Sequence, residues 1–249
     1  MKILVIGDSC KDIYVYGKVD RLCPDAPVPV LIPKKTITTG GMASNVYENI
    51  LSLGFDADII TNQKEIRKTR YVDEKTNHMF IRVDSENIAI PRISGLQNVN
   101  FKNYKAVIIS DYNKGFLSYE DIEYICSKHN CVFVDTKKII NDSFKNAKFI
   151  KINEIEYNNN VSSGQQFEGF YEKMIITLSD RGCRYKNINY PVDKVQIKDN
   201  SGAGDTFISG LVVEYCRTND INKAINYANF CATIVVQHKG VTKIGNHIN

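Results

Sequence analysis

Asp199-Asn200-Ser201-Gly202-Ala203-Gly204-Asp205-Thr206 decides the reading of this chain, because an apolar helical pattern begins directly after it. Phe207, Ile208, Leu211, Val212 and Tyr215 recur at the spacing of one helix face, so the octet opens a helix. Gly202 and Gly204 flank Ala203 and let backbone N–H groups converge on an anion. The helix dipole adds partial positive charge at the same end. Asp205 falls in the first turn, where a carboxylate is favoured and able to accept a proton. An anion cradle beside a base is what phosphoryl transfer to a hydroxyl requires. A plain glycine turn, with an aspartate on the helix dipole, is equally open on these residues alone.

Upstream, short β-rich runs recur at residues 2–6 (KILVI), 57–61, 106–110, 131–135, 149–152 and 174–177. Helical patterns lie between them. Val46, Ile50 and Leu53 share a face that Gly54 closes, and Ser118 caps a helix over 119–127. Two more helices, over 203–216 and 221–236, end the sequence. Strands alternating with helices predict an α/β fold: a mostly parallel central sheet flanked by helices on both faces. Two segments break the rhythm. Residues 24–35 (PDAPVPVLIPKK) are punctuated by proline and suit an edge strand. Residues 69–84 (TRYVDEKTNHMFIRVD) read as two alternating strands around a turn at 74–77. Together they predict a small β lid, with segments near 17–36 and 69–84, in a single domain over 1–249. Residues 141–145 and 158–169 read as loops.

Composition narrows the partners. The 249 residues carry 32 Lys+Arg against 28 Asp+Glu, a net +4 that is too small to point to nucleic acid. Hydrophobic residues make up 43%, a globular value. No apolar run approaches the ~18 residues of a membrane span, and the first strand meets Asp8 too soon for a signal peptide. A cytoplasmic protein, binding neither nucleic acid nor membrane, is expected. The seven Cys form no CxxC pair and the four His no HExxH, which argues against a zinc site and for reduced thiols.

Two further motifs invite a ligand. Thr39-Gly40-Gly41-Met42-Ala43-Ser44-Asn45 opens the helix of Val46, and paired glycines let a ligand approach the backbone. Asn153-Glu154-Ile155-Glu156 follows a strand end, where open α/β sheets place ligands, and a carboxylate there can hold Mg²⁺ through water. A polar first helical turn accounts for either one taken alone. There is no GxxxxGK[ST] and no GxGxxG after the first strand, so neither a P-loop nor a dinucleotide fingerprint is present.

In this order, Gly-Gly…Asn, N-x-x-E and G-A-G-D resemble the signature of ribokinase-like (PfkB-type) carbohydrate kinases, from residue 2 to about 244. Thr177-Leu178-Ser179-Asp180-Arg181-Gly182 matches that family's strand-turn along the nucleotide. A finer resemblance is to kinases of D-glycero-β-D-manno-heptose 7-phosphate, which phosphorylate O1 on the route to ADP-heptose. It rests on Arg21-Leu22-Cys23-Pro24-Asp25-Ala26-Pro27-Val28-Pro29-Val30, Ile81-Arg82-Val83-Asp84, Ser110-Asp111-Tyr112-Asn113-Lys114-Gly115 and Val134-Asp135-Thr136-Lys137.

The resemblance implies a role for each matched residue. Asp205 would be the catalytic base, with the N–H groups of Gly202, Ala203 and Gly204 on the transferring phosphoryl. Asn153, Glu156, Thr177, Ser179, Gly182 and Asn229 would lie along ATP, with Glu156 meeting Mg²⁺ through water. Asp8, Asp12, Gly40, Gly41 and Asn45 would hold sugar hydroxyls, and Arg82, Lys114 and Lys137 the phosphate of a sugar phosphate. It also implies a homodimer through the lid and leaves room for a monovalent cation. Between Thr61 and Thr69 the chain is shorter than that family's. A kinase for another sugar or nucleoside, and a non-catalytic sugar- or nucleotide-binding relative, remain open alternatives.

Overall fold

A computed structural model describes residues 2–85, 90–164 and 167–248. In chain order, the first half runs β1 (Lys2–Gly7), β2 (Ser9–Leu22), β3 (Pro29–Met42), α1 (Ala43–Ser52), β4 (Ala57–Thr61), β5 (Arg67–Asp73) and β6 (Met79–Asp84). The second half runs β7 (Tyr104–Asp111), α2 (Tyr119–Lys128), β8 (Val132–Thr136), β9 (Phe149–Asn153), α3 (Glu154–Ser162), β10 (Met174–Thr177), β11 (Cys183–Tyr185), β12 (Ile188–Tyr190), α4 (Ala203–Thr218) and α5 (Ile221–Val235). The main sheet has the order β12-β11-β10-β9-β8-β7-β1-β4. It is parallel from β10 to β4 and antiparallel at β11 and β12.

Period-2 alternation divides its side chains. Ile3 and Val5 pack with α1, α4 and α5, while Leu4 and Ile6 face the opposite layer with Ile122 and Ile125 of α2. Both faces are thus buried, as the continuous apolar strands require. Gly7 ends β1 where a Cβ would come within 1.8 Å of the Ser110 carbonyl oxygen, so only glycine lets β1 lie this close to β7. Among the described residues no helix is long and apolar enough to cross a membrane.

The second sheet has the order β3-β2-β5-β6, with β2 parallel to β5. It begins at Ser9, earlier than the lid segment expected near 17–36, because β2 carries straight on from β1. The proline-bearing β3 is an edge strand, as its Pro33 requires.

One expected loop is corrected. Residues 158–162 continue α3, although three successive asparagines are poor helix formers. The buried Asn160 side chain explains it, accepting from Ile140 N at 2.8 Å and donating to Glu156 O at 2.8 Å. Gln165 and Gln166, in the rest of that expected loop, lie outside the described residues. Residues 141–145 contain a single 3-10 turn that Asn141 caps.

Candidate active site

The carboxyl ends of β1, β7, β8 and β9 point towards the start of α4, and the lid sheet meets them there. Gly202, at φ 81°, turns the chain into α4, a conformation that a side chain would strain. The N–H groups of Gly204 and Asp205 lie in the first turn, where no helix carbonyl precedes them, whereas the Ala203 N–H of the expected cradle of Gly202, Ala203 and Gly204 is turned to Asn200 O at 3.3 Å. Asp205 is buried, 4% exposed, yet both carboxylate oxygens have donors. Tyr112 Oη donates to Oδ1 at 2.6 Å, and Asn45 Nδ2 donates to Oδ2 at 2.9 Å. Burial lifts the Asp205 pKa to about 6; the two donors and Lys151 hold it down, while Asp135 adds to the rise. Burial also pushes the Tyr112 hydroxyl well above its ordinary value, so it remains a donor.

Around this base stand the residues expected to hold an acceptor. Asp8 is fully buried and accepts from Tyr112 N at 2.7 Å, which ties the 111–116 loop to β1. Asp12, on β2, is ion-paired with Arg70 of β5, whose guanidinium also lies 4.9 Å over the Tyr14 ring. Gly41 is pressed against this pair; a Cβ there would stand 2.1 Å from Asp12 Oδ2. A Cβ on Gly40 would meet Ser44 Cβ at 2.9 Å.

Of the three expected cations, Lys137 lies 4.5 Å over the Tyr112 ring, and Lys68 approaches the same ring at 5.6 Å. Burial of its head group lowers the Lys137 pKa, and the like charges of Lys68 and Lys114 add to that, so the three ammonium groups share one neighbourhood. Arg82 is not brought to Tyr112. It stands opposite Arg70 on the outer strand β6 and pairs with Asp84 at 2.9 Å.

On the other side of Gly204 lies a cleft of about 610 Å³. Asn153, Thr177, Ser179, Gly182 and Asn229 line it, as does Gly204 itself. Some of these residues have structural work as well. Asn153 and Glu156 cap α3 reciprocally, with 2.8 Å from Glu156 N to Asn153 Oδ1 and 2.7 Å from Asn153 N to Glu156 Oε2. Asn229 Nδ2 donates to Tyr190 O at 2.9 Å, and a Cβ on Gly182 would stand 2.0 Å from that same oxygen. Burial raises the Glu156 pKa, with Asp135 acting in the same sense and Lys151 against it. A more open hollow of about 840 Å³, between Lys102, Lys105, Lys128 and His129, lies by the amino end of β7 and contains none of the expected residues.

Five residues at the site escape the sequence reading. Tyr112 and Asp135 fall within quoted motifs, but nothing local says that they face Asp205. Lys151 is a charge in the middle of an apolar strand, a signal in plain view. Lys68 and Arg70 alternate along β5, so they share one face of the lid.

A model of the pfkB family carbohydrate kinases matches residues 117–248, more than half of the chain. The chain is 31% identical to the bifunctional protein HldE of Helicobacter acinonychis, over 96% of this chain and 63% of that one. It is 27% identical to HldE of Nitratiruptor, over 96% and 62%. It therefore spans less than two thirds of these relatives. Among solved structures, the ribokinase of Thermotoga maritima superposes with a TM-score of 0.70 at 17% identity, covering 96% of this chain and 94% of that one. The nucleoside kinase of Methanocaldococcus jannaschii gives 0.70 at 16% identity, over 97% and 93%. The parallel sheet, its lid and the aspartate at the head of α4 are thus a ribokinase-like fold, and the chain belongs to the pfkB family of carbohydrate kinases, phosphotransferases that act on a sugar hydroxyl.

Proposed function

We propose that the protein transfers the γ-phosphoryl group of ATP to O1 of D-glycero-β-D-manno-heptose 7-phosphate. The observation that carries this reading is Asp205, buried at the head of α4 and hydrogen-bonded to Tyr112, over whose ring stand Lys68 and Lys137, with Lys114 close enough to act on Lys137. A neutral sugar needs no such cluster, whereas a sugar phosphate does. The heptose itself is supported by the sequence resemblance at residues 21–30, 81–84, 110–115 and 134–137 and by likeness to the kinase-length part of HldE.

Asp205 takes the proton of the acceptor hydroxyl as that oxygen bonds to the γ-phosphorus. The bond from phosphorus to the bridging oxygen breaks, and ADP leaves with the electron pair. Gly204 and Asp205 N–H groups face the charge that develops on the transferring group. Asn45 and Tyr112 aim the carboxylate, and the Asp12–Arg70 pair fixes the wall opposite. Thr177, Ser179, Gly182 and Asn229 line the nucleotide's cleft. Glu156 is one hard oxygen donor at the head of α3; among the described residues no group of three or more His, Cys, Asp or Glu forms a metal cage. That donor set suits Mg²⁺, which keeps most of its water and would screen the phosphate charge, with Glu156 reaching it through water.

A homodimer through the lid is proposed on the stripe of Met79, Ile81 and Val83, 48%, 56% and 51% exposed, on the β6 face turned away from Arg70 and Arg82. The seven free thiols support a reaction in the cytoplasm.

Coupled ADP release, measured across heptose 7-phosphate, ribose, fructose and adenosine, tests the reading. Turnover is expected with heptose 7-phosphate and is abolished in Asp205→Asn while calorimetric ATP binding persists. Activity on the other acceptors alone rejects the heptose, and unchanged turnover in Asp205→Asn rejects the base.

A further inference from the structure

Lys151 is a buried charge that the reaction above does not use. It sits within β9, 5% exposed, at the position directly across from Asp135 on β8. Its Nζ donates to Asp135 Oδ2 at 2.9 Å. Burial works against the ammonium, but Asp135 and Glu156 outweigh it and raise the Lys151 pKa, so the group is charged. A buried pair of this kind is often no more stabilising than two apolar residues of similar volume. Stability is therefore a weak reason for placing a lysine in FIKIN.

Position is a better reason. A Cβ built on Gly204 would stand 3.2 Å from Lys151 Nζ, so the ammonium is aimed at the N–H cradle of α4. Lys151 also lines the cleft that holds Asn153, Thr177 and Gly204. The charged and titratable groups that act here are Asp205 on α4, Asp135 on β8, Glu156 on α3, Tyr112 after β7, Cys10 on β2 and Lys137 after β8. Lys151 at this junction acts on the base and stands beside Gly204 of the cradle.

We propose that the Lys151 ammonium meets the phosphoryl group in transfer, and that Asp135 is the residue that positions it. This rests on the kinase reading of the cleft and deepens it. In phosphoryl transfer, negative charge spreads over the equatorial oxygens of the group in flight. An ammonium fixed out of water beside two helix N–H groups stabilises that charge without reorganising. The missing side chain at Gly204 keeps the path between cradle and ammonium open. No proton or bond changes hands at Lys151: it enters and leaves the step as an ammonium.

Three variants of the full chain decide it. Lys151→Met keeps an unbranched side chain, one heavy atom shorter, and removes the charge. Asp135→Asn/Lys151→Met removes both charges and leaves no unpaired carboxylate. Asp135→Asn keeps the ammonium without its anchor, and its kcat is expected to fall about tenfold or more with KM for ATP little changed; an unchanged kcat would remove Asp135 as the positioning residue. With ATP and heptose 7-phosphate, kcat of Lys151→Met is expected to fall about 100-fold or more while KM for ATP stays within about threefold. The double variant is expected to stay as slow. The acid limb of kcat/KM moves up in Lys151→Met and returns towards wild type in the double variant, because Lys151 and Asp135 act oppositely on Asp205. Calorimetry with Mg²⁺-ADP, with and without beryllium fluoride, reads the phosphoryl subsite without any acceptor. Lys151→Met is expected to weaken ADP–beryllium fluoride about tenfold or more and to leave ADP unchanged.

Recovery of kcat in the double variant would show that Lys151 only balances Asp135 and would overturn the proposal. Equal affinity of wild type and Lys151→Met for ADP–beryllium fluoride would overturn it too. If wild type phosphorylates none of the acceptors, the kinase reading falls on that result, while the calorimetry still decides Lys151.

Discussion

Asp205→Asn is expected to stabilise the protein at neutral pH while removing its turnover. Burial raises the Asp205 pKa from 3.8 to about 6. The sign depends on which state holds the proton. Between those two values the folded protein carries it and the unfolded chain does not, so protonation favours folding there. Above the folded pKa both states are ionised, and the folded one bears the full penalty of a buried charge. At 1.36 kcal/mol per unit, that penalty is about 3 kcal/mol near pH 7.5 and about half as much near pH 5. Asparagine has nearly the same shape and no charge, so it is relieved of the penalty at every pH. Urea unfolding with matched m-values then gives Asp205→Asn a gain of about 2–3 kcal/mol near pH 7.5, shrinking to about 1–1.5 kcal/mol near pH 5. In a chain of this size that gain raises Tm by several degrees. A gain independent of pH would assign the effect to packing instead of charge. No gain, or a loss, near pH 7.5 would mean that Tyr112 and Asn45 already compensate the carboxylate fully, and would refute the reasoning.

Tyr112→Phe removes the 2.6 Å donor from Asp205 Oδ1, so the base pKa rises above about 6 and the acid limb of kcat/KM moves to higher pH; an unmoved limb with altered kcat would contradict this. Ile81→Lys charges the centre of the exposed β6 stripe and is expected to shift sedimentation from dimer to monomer; a wild-type chain that sediments as a monomer removes the basis for a lid dimer.

What the sequence shows of this protein depends on whether the physics is local. The ends of β10 agree with the apolar run at 174–177, because a strand buried on both faces is apolar throughout, and those of β4 agree with 57–61 although β4 is an edge strand that carries Asp58. Ser118 and the Asn153–Glu156 pair announce helix starts because capping is settled within four residues. The β2 strand is missed because only one of its faces is covered, and Lys11, Asp12 and Lys18 interrupt its alternation. Residues 158–162 are missed because Asn160 holds the helix through a bond to residue 140, which no local preference anticipates. The site divides in the same way. Asp205 and its glycines are legible at the head of one helix, whereas the approach of Tyr112, 93 residues away in the chain, and of Asn45, 160 away, belongs to the assembled sheet.

That division bears on how the base works. Above its pKa of about 6, Asp205 is mostly ionised near neutral pH, yet it binds a proton about a hundred times more tightly than an ordinary aspartate. A carboxylate left in water would be ionised but too weak a base, and one buried without donors would stay protonated at working pH. The groups around Asp205 come from separate elements, with β8 supplying Asp135, β9 Lys151 and the loop after β7 Tyr112, while Cys10 of the lid is close enough to feel the Asp205 charge. The upward push on the pKa is thus a tertiary effect. The restraint on it comes from three groups, Tyr112, Asn45 and Lys151, each from a different element. The motif places the carboxylate, and the meeting of lid and sheet decides how strong a base it is.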